Sequence, residues 1–373
     1  MKHLILALLL ALAAPLSAQV RFQQAFGGAE LDYGFAVVQT DDGGYLVAGE
    51  TESFGAGFRD VWLVRTDSLG DTLWTRTYGT ANYDAAFALA PASNGGHWVA
   101  GAAARSNGYT DVWLARIDAA GDTCFTRTWG GQYNDYGFSV VATGDGGCAI
   151  TGETQSFGAG YSDGWLLKVN ASGDTSWTRT FGTANYDFLY SVRAVPAGGY
   201  ILAGSTRLPS GQEDAWLLRT DGDGIESWSR VFATTGFEEL RTAVPTSDGG
   251  FAAAGTAPGV SRNHFWLVKT DAAGDTLWTR VYERWPTTGE VGYSMAQTMD
   301  GGYVMTGSSQ AEDVWVVRTD AAGDTLWTRL IGGSQPDAGR SVIQAADGGF
   351  ALTGYTRSYG GGWLDVWLVK TDA

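Results

Sequence analysis

Two series of carboxylates recur along the chain at nearly constant intervals. The first comprises Asp32, Asp84, Asp135, Asp187, Glu239, Glu290 and Asp337. The second comprises Asp60, Asp111, Asp163, Asp214, Asp313 and Asp365, with His264 where a further acid would fall. Grouped carboxylates can ligate a hard cation such as Ca2+, which takes several oxygen ligands. A pair of them can hydrolyse a glycosidic bond. Each can instead accept backbone N–H bonds and cap a loop. Repetition favours capping, because a catalytic pair should break the symmetry. Two such charges ~8 Å apart in water repel by only about 0.5 kcal/mol, so the series does not require an ion. "DGDG" at Asp221–Gly224 lacks the length and closing glutamate of an EF-hand loop.

Aromatic residues form the second candidate set. Phe54, Phe58, Tyr109, Phe157 and Tyr161 stand in glycine-rich segments, and Tyr83, Tyr133 and Tyr186 precede members of the first acid series. Exposed rings beside carboxylates suit sugar stacking or protein contact; turned inward, they would cover the ends of the sheets. Tyr109 and Tyr161, with the seven acids of the first series, are the candidate binding residues. Beyond the N-terminal leader only His97 and His264 remain as histidines. There is no nucleophile elbow, no histidine cluster with metal spacing and no phosphate loop. The expected role is therefore non-catalytic binding of an extracellular protein or polysaccharide by a monomer, with no cofactor other than a candidate Ca2+. The alternatives are a carbohydrate-active hydrolase or lyase working through rim carboxylates, and a structural component of the envelope or cell surface.

The elements that must position these residues follow from an internal repeat. An aromatic recurs at Trp62, Trp113, Trp165, Trp216, Trp266, Trp315 and Trp367, at spacings of 49 to 52 residues. Periods of this size mark solenoids and propellers. Each copy reads as four short strands, A to D. In the first, A is Phe35–Thr40, B is Tyr45–Thr51, C is Asp60–Thr66 and D is Asp71–Tyr78, with Asp-Gly-Gly and Asp-x-x-Gly turns between them. The last copy lacks strand D, and the segment after the leader has a spare one: "RFQQAFGG" (Arg21–Gly28) aligns with "LWTRTYGT" (Leu73–Thr80). The expected fold is all-β, a seven-bladed β-propeller of four antiparallel strands per blade over residues 19–373, with the N-terminal strand completing blade seven. Closure of this kind leaves only short, protected sheet edges. The A–B and C–D turns are short and uniform, whereas the D–A and B–C loops are longer and varied. That makes the D–A/B–C side the expected recognition face, and the acids of the first series the rim of its central mouth.

The tryptophans of strands C and D have a structural use. Burying one ring removes ~150–250 Å² from water, an upper bound of roughly 4–6 kcal/mol. Arg76, Arg127, Arg179, Arg230, Arg280 and Arg329 follow the strand-D aromatic by two residues and so share its face, where a stacked guanidinium is expected. Residues 1–18 read as a secretory signal: a basic start, eleven apolar residues from Leu4 to Ala14, Pro15, and small residues before Gln19. Eleven residues are too few to span a bilayer, and no later segment is long and apolar enough, so an exported protein without membrane insertion is expected: periplasmic, on the cell surface or secreted. The formal charge of −16 opposes nucleic acid as a partner. Cys124 and Cys148 fall on strands of neighbouring repeats; two unbridged thiols are favoured over a disulfide.

The segment "TDAAGDTLWTR" (Thr270–Arg280, and again Thr319–Arg329), together with "DGGYLVAGET" (Asp42–Thr51), resembles bacterial secreted β-propeller repeat proteins, whose repeats often precede a C-terminal sorting domain. The resemblance covers the whole chain after the leader and implies the propeller fold. The same segment is similar to the tryptophan-docking repeat of quinoprotein dehydrogenases. It is one residue short of that motif between Asp271 and Gly274 and lacks the threonine before the glycine. This similarity implies comparable packing between blades and is not evidence for a quinone cofactor.

Overall fold

A computed structural model describes residues 18–373 except 94, 209–210, 234–235, 259–262, 285–288 and 310–312. Of the expected leader, only Ala18 falls among the described residues. The chain forms seven four-stranded antiparallel sheets arranged as the blades of a propeller, six of them with consecutive strands in order from the axis outward. Among the described residues there is no helix. The first blade comprises Asp32–Gln39, Tyr45–Thr51, Asp60–Thr66 and Thr72–Tyr78. Its strands B and C match the sequence reading. Strand A starts three residues earlier than expected, because Asp32 pairs with Thr51 across the ladder and its N–H donates to Leu364 O of blade seven (2.8 Å). A bulge between Gly34 and Ala36 shifts the register midway along this strand, and an equivalent bulge recurs in the inner strand of every blade.

Blade seven is closed as expected. The N-terminal strand Val20–Phe26 runs antiparallel to the last strand, Asp365–Thr371, with Phe22 opposite Lys370 and Phe26 opposite Val366. One sheet thus contains both ends of the chain.

Two contacts repeat from blade to blade. The strand-D aromatic lies against the C–D turn glycine of the next blade: Phe22 on Gly70, Trp74 on Gly121, Phe125 on Gly173, Trp177 on Gly224, Trp228 on Gly274 and Trp278 on Gly323. The arginine two residues on lies over the same ring in five blades, 4.9–5.6 Å from its centroid (Arg76, Arg127, Arg179, Arg230 and Arg280). The second contact is an ion pair within five of the blades. A basic residue of strand C reaches under the A–B turn to its aspartate: Arg65 to Asp42 (2.5 Å), Lys168 to Asp145 (2.7 Å), Lys269 to Asp248 (2.8 Å), Arg318 to Asp300 (2.5 Å) and Lys370 to Asp347 (2.8 Å). In blades two and four the arginine donates instead to turn carbonyls, Arg116 to Gly95 O and Arg219 to Gly198 O. The strand-C tryptophans are buried, and apolar clusters such as Leu46, Leu63, Val99, Trp113 and Ile117 fill the space between adjacent sheets. Cys124 is exposed and Cys148 buried; both are free thiols, and burial pushes the Cys148 pKa up to about 12.

The turn glycines separate backbone strain from packing. Gly274 has φ +83° and a methyl group on it would lie 2.8 Å from the Trp228 ring, whereas Gly249 has φ +85° and nothing within 4 Å. Gly249→Ala should lower unfolding free energy by about 1–2 kcal/mol through backbone strain alone. Gly274→Ala should cost about 1–3 kcal/mol more, because the aromatic contact must also shift. Urea unfolding of the two variants checks this, and equal losses would disprove the aromatic–glycine lock.

Candidate functional site

The acids of the first series open the inner strands, as the spacing implies, but their side chains are buried. Asp32, Asp135, Asp187, Glu290 and Asp337 are no more than 1% exposed, and Asp84 only 3%. Each aspartate receives a backbone amide of the D–A loop on Oδ2: Gly28 (2.9 Å), Thr80 (2.7 Å), Gly131 (2.9 Å), Thr183 (2.6 Å) and Gly333 (2.9 Å). A hydroxyl adds to this from Ser53, Ser156 or Ser358 (2.7–2.8 Å) or from Thr80 or Thr183 (3.0–3.1 Å). Thr154, Thr206 and Thr356 of strand B donate to Oδ1 of Asp135, Asp187 and Asp337. Each of these carboxylates therefore ties a loop to two strands.

Blade five departs from the spacing by one residue. Glu238, whose N–H donates to Glu213 O (3.1 Å), takes the place of Asp32, and Glu239 pairs with Thr256 as Tyr33 pairs with Glu50. Glu239 stands one step nearer the axis-lining position and makes an ion pair with Arg241 (2.7 Å). Counting from the acid ran one residue out because the alternation of apolar residues in "FEELRTAV" tolerates either glutamate.

The two acid series meet between blades. Asp60 lies beside Asp84, Asp111 beside Asp135, Asp163 beside Asp187, and Asp365 beside Asp32; burial, reinforced by the neighbouring charge, raises the pKa of Asp84, Asp111, Asp163 and Asp365. Asp313 and Asp337 flank Gly332 in the same way. The second series also caps loops: Asp60 accepts from Ala56 and Gly57 N–H (both 2.9 Å) and Asp163 from Gly160 (2.9 Å). His264 replaces the acid in blade five with its Nδ1 2.6 Å from Glu290 Oε2. Among the described residues no three His, Cys, Asp or Glu side chains are grouped as a metal site requires.

The aromatic candidates divide into two kinds. Phe54 and Phe157 lean on the strand-C tryptophans, 5.2 Å from Trp62 and 5.5 Å from Trp165. Tyr83 turns inward beside Glu50. Tyr161 instead stands 68% exposed and stacks on Tyr186 (5.3 Å, 16° between planes), and Arg207 lies over Tyr186 (5.6 Å). Tyr109, 38% exposed, meets Tyr133 edge to face (5.9 Å), with Arg105 over its ring (5.9 Å). In both pairs one ring comes from a B–C loop and the other from the D–A loop of the next blade. A parallel bridge between Ser162 and Tyr186 fixes the first pair; in the second, Arg105 donates to the carbonyls of Gly131 (2.6 Å) and Tyr133 (3.1 Å). Phe58 and Trp363 add exposed rings on blades one and seven, with Arg59 and Arg357 against them.

Two buried glutamates were not picked out from the sequence. Glu50 and Glu153 occupy the same strand-B position, held elsewhere by Ala102, Ser205, Thr256, Ser308 and Tyr355. That departure from the repeat was the available signal. Arg59 donates to Glu50 and Glu52 (both 2.6 Å). Glu153 accepts a bond from the Ser162 hydroxyl (2.9 Å), and burial pushes its pKa up to about 7.

No protein-family model matches the chain. Among characterised proteins, the regulatory protein FlaEY of Caulobacter vibrioides is 27% identical over 193 residues, which take in 45% of this chain but only 19% of that protein. Among solved structures, Sqt1 from Chaetomium thermophilum superposes with a TM-score of 0.54 at 14% identity, covering 91% of this chain and 83% of that one. Puromycin hydrolase gives 0.55 at 14% identity over 87% of this chain and 50% of its own. Raptor from Chaetomium thermophilum gives 0.57 at 9% identity over 95% and 29%. At these identities the likeness is one of fold.

The Glu153 carboxyl leads to a prediction about pH. Its pKa rises from 4.5 unfolded to about 7 folded, so between those values the folded state holds a proton that the unfolded state has lost. Stability therefore falls as pH rises from 4.5 to 7, by on the order of 3 kcal/mol for this group. Glu153→Gln should remove that part of the slope. Urea unfolding at pH 5 and pH 8 measures it, and an unchanged slope would show that Glu153 ionises freely in the fold.

Proposed function

We infer that this propeller is an exported binding module that holds a protein segment or glycan on its D–A/B–C face. One observation carries the reading: two tyrosine pairs, Tyr109–Tyr133 and Tyr161–Tyr186, present rings to solvent from adjacent blade junctions while arginine and backbone bonds fix them in place. Rigid aromatic rings give large contact area at small entropic cost, the property that enriches tyrosine in interfaces. The sets of rings lie on blades one to three and seven, so the site is displaced from the axis. Sqt1, which shares the fold, has been solved bound to the N-terminus of ribosomal protein L10, a propeller holding a peptide segment. The buried acids serve as the supports that hold the loops. Export rests on the leader-like first eighteen residues.

The test is affinity capture from the extracellular proteins and glycans of the source organism, with the protein from Gln19 onward as bait. A Tyr109→Ala/Tyr161→Ala double variant that melts like the parent should lose capture by about tenfold or more, as truncation of interface anchors does. Capture undiminished by the double variant would remove the tyrosine pairs as the site.

A further inference from the structure

We propose that the central channel is a second binding site, selective for a carboxylate carried on an apolar body. It is built from residues other than the tyrosine pairs and stands or falls independently of them.

The bulged residue of the inner strand forms a ring round the axis. Blades one to four contribute Phe35, Phe87, Phe138 and Tyr190, each in contact with the next (5.4, 6.0 and 5.8 Å between centroids). Tyr33, Tyr136 and Phe188 stack on this arc from two residues nearer the loop face, within 8° of parallel. Blades five to seven break the pattern with Arg241, Tyr293 and Arg340. All seven ring positions are half-buried, as side chains lining a channel are.

The charges do not balance. Arg241 lies 4.0 Å over Tyr190 and is neutralised by Glu239. Arg340 lies 4.0 Å over Tyr293 and 5.6 Å from Tyr355, yet among the described residues no carboxylate reaches it, and its buried Nε has no acceptor. Arg193 follows Tyr190 by three residues on the same inner strand, a position that is apolar in the other blades (Val38, Val141 and Ile343 among them). Its one hydrogen-bonding partner among the described residues is the carbonyl of its neighbour Val192 (2.9 Å). Burial lowers its pKa, and no carboxylate offsets that. Among the described residues two guanidiniums therefore have no carboxylate: Arg340 on the axial ring, and Arg193 on the inner strand, whose counterparts Val38, Val141 and Ile343 pack between the sheets.

A guanidinium drawn out of water without a counter-ion is costly, and a bound anion reverses that cost. Its planar fork matches a carboxylate, and tyrosine faces hold the plane in position. The opposite wall offers phenyl faces, which favour an apolar or aromatic body. A ring of side chains in mutual contact admits a small acid or a chain end, not a folded surface. The shared chemistry is a carboxylate beside an apolar group; it can come from a free organic acid or from the C-terminal residue of a peptide.

Titration calorimetry with phenylacetate, acetate, a short peptide ending in phenylalanine, and the same peptide as its C-terminal amide tests this. Phenylacetate or the free-acid peptide should bind the parent, and more tightly than acetate or the amide; which of the two binds identifies the source. Arg340→Gln should weaken binding by roughly tenfold or more. Tyr161→Ala should leave it unchanged. Arg340→Lys, which keeps the charge but not the planar fork, should weaken it too and decides the matter if Arg340→Gln fails to melt like the parent. No binding by either carboxylate, equal binding of acid and amide, phenylacetate no better than acetate, or undiminished affinity in the folded arginine variants would each overturn the proposal.

Discussion

The pairing of Val20–Phe26 with Asp365–Thr371 is the constraint on which the rest depends. A four-stranded sheet has two faces, and each blade buries both only when it has a neighbour on either side. Six of the seven junctions lie between consecutive segments of chain. The seventh exists because the first strand is built into the last sheet, so that Phe22 reaches the turn glycine of blade one and Val366 and Leu368 pack against Val47 and Trp62. Loop-closure entropy grows only slowly with chain length, so joining ends more than 300 residues apart adds little beyond what each shorter closure requires. What it provides is a ring in which no sheet face is left bare.

Closure also explains why so many ionisable groups are buried on the loop side. At each junction a D–A loop must lie against the B–C loop of the preceding blade, and loops carry amides that no strand can satisfy. A buried amide without a partner costs about 1–3 kcal/mol. Asp32, Asp84, Asp135, Asp187 and Asp337 supply acceptors at those points, and the second series supplies more. Burial, and to a smaller extent the neighbouring carboxylate, works against this and raises the pKa of Asp84, Asp163 and Asp365. The arrangement persists because each charge is solvated by several N–H and O–H donors, and the loops so anchored can hold exposed rings rigidly.

The blade count, the strand order and the closing strand were readable from the sequence because sevenfold repetition turns weak strand and turn signals into a strong one. Tyr45–Thr51 and Asp60–Thr66 were placed to the residue; strand A was begun late because its first pairing partner, Thr51, and the bulge at Gly34 leave no mark in composition. Repetition has the opposite effect on the site. Glu153, Arg193 and Arg340 each occur where most other blades carry something else, and a reading tuned to what recurs discounts them. Glu239 was assigned to the wrong register because two adjacent glutamates both fit the period. The tyrosines Tyr109 and Tyr161 were found because glycine-rich loops announce themselves, but their partners Tyr133 and Tyr186 belong to the next blade, and only the fold brings them together.

Asymmetry of charge is what this ring has in place of a catalytic motif. Exposed acids such as Asp122, Asp275 and Asp324 stand in its outer turns, while its axis carries guanidiniums faced by aromatic rings, one of them paired with Glu239. At physiological ionic strength fields between exposed charges decay over about 8 Å, so peripheral acids act weakly on the axis through solvent. Inside the channel the walls are side chains rather than water, and Arg340 keeps more of its field there than it would at the surface. The net charge of the chain therefore says little about what the channel attracts. An acidic propeller can be anion-selective at its centre provided its acids are committed to loop amides, and in this fold the first-series aspartates are.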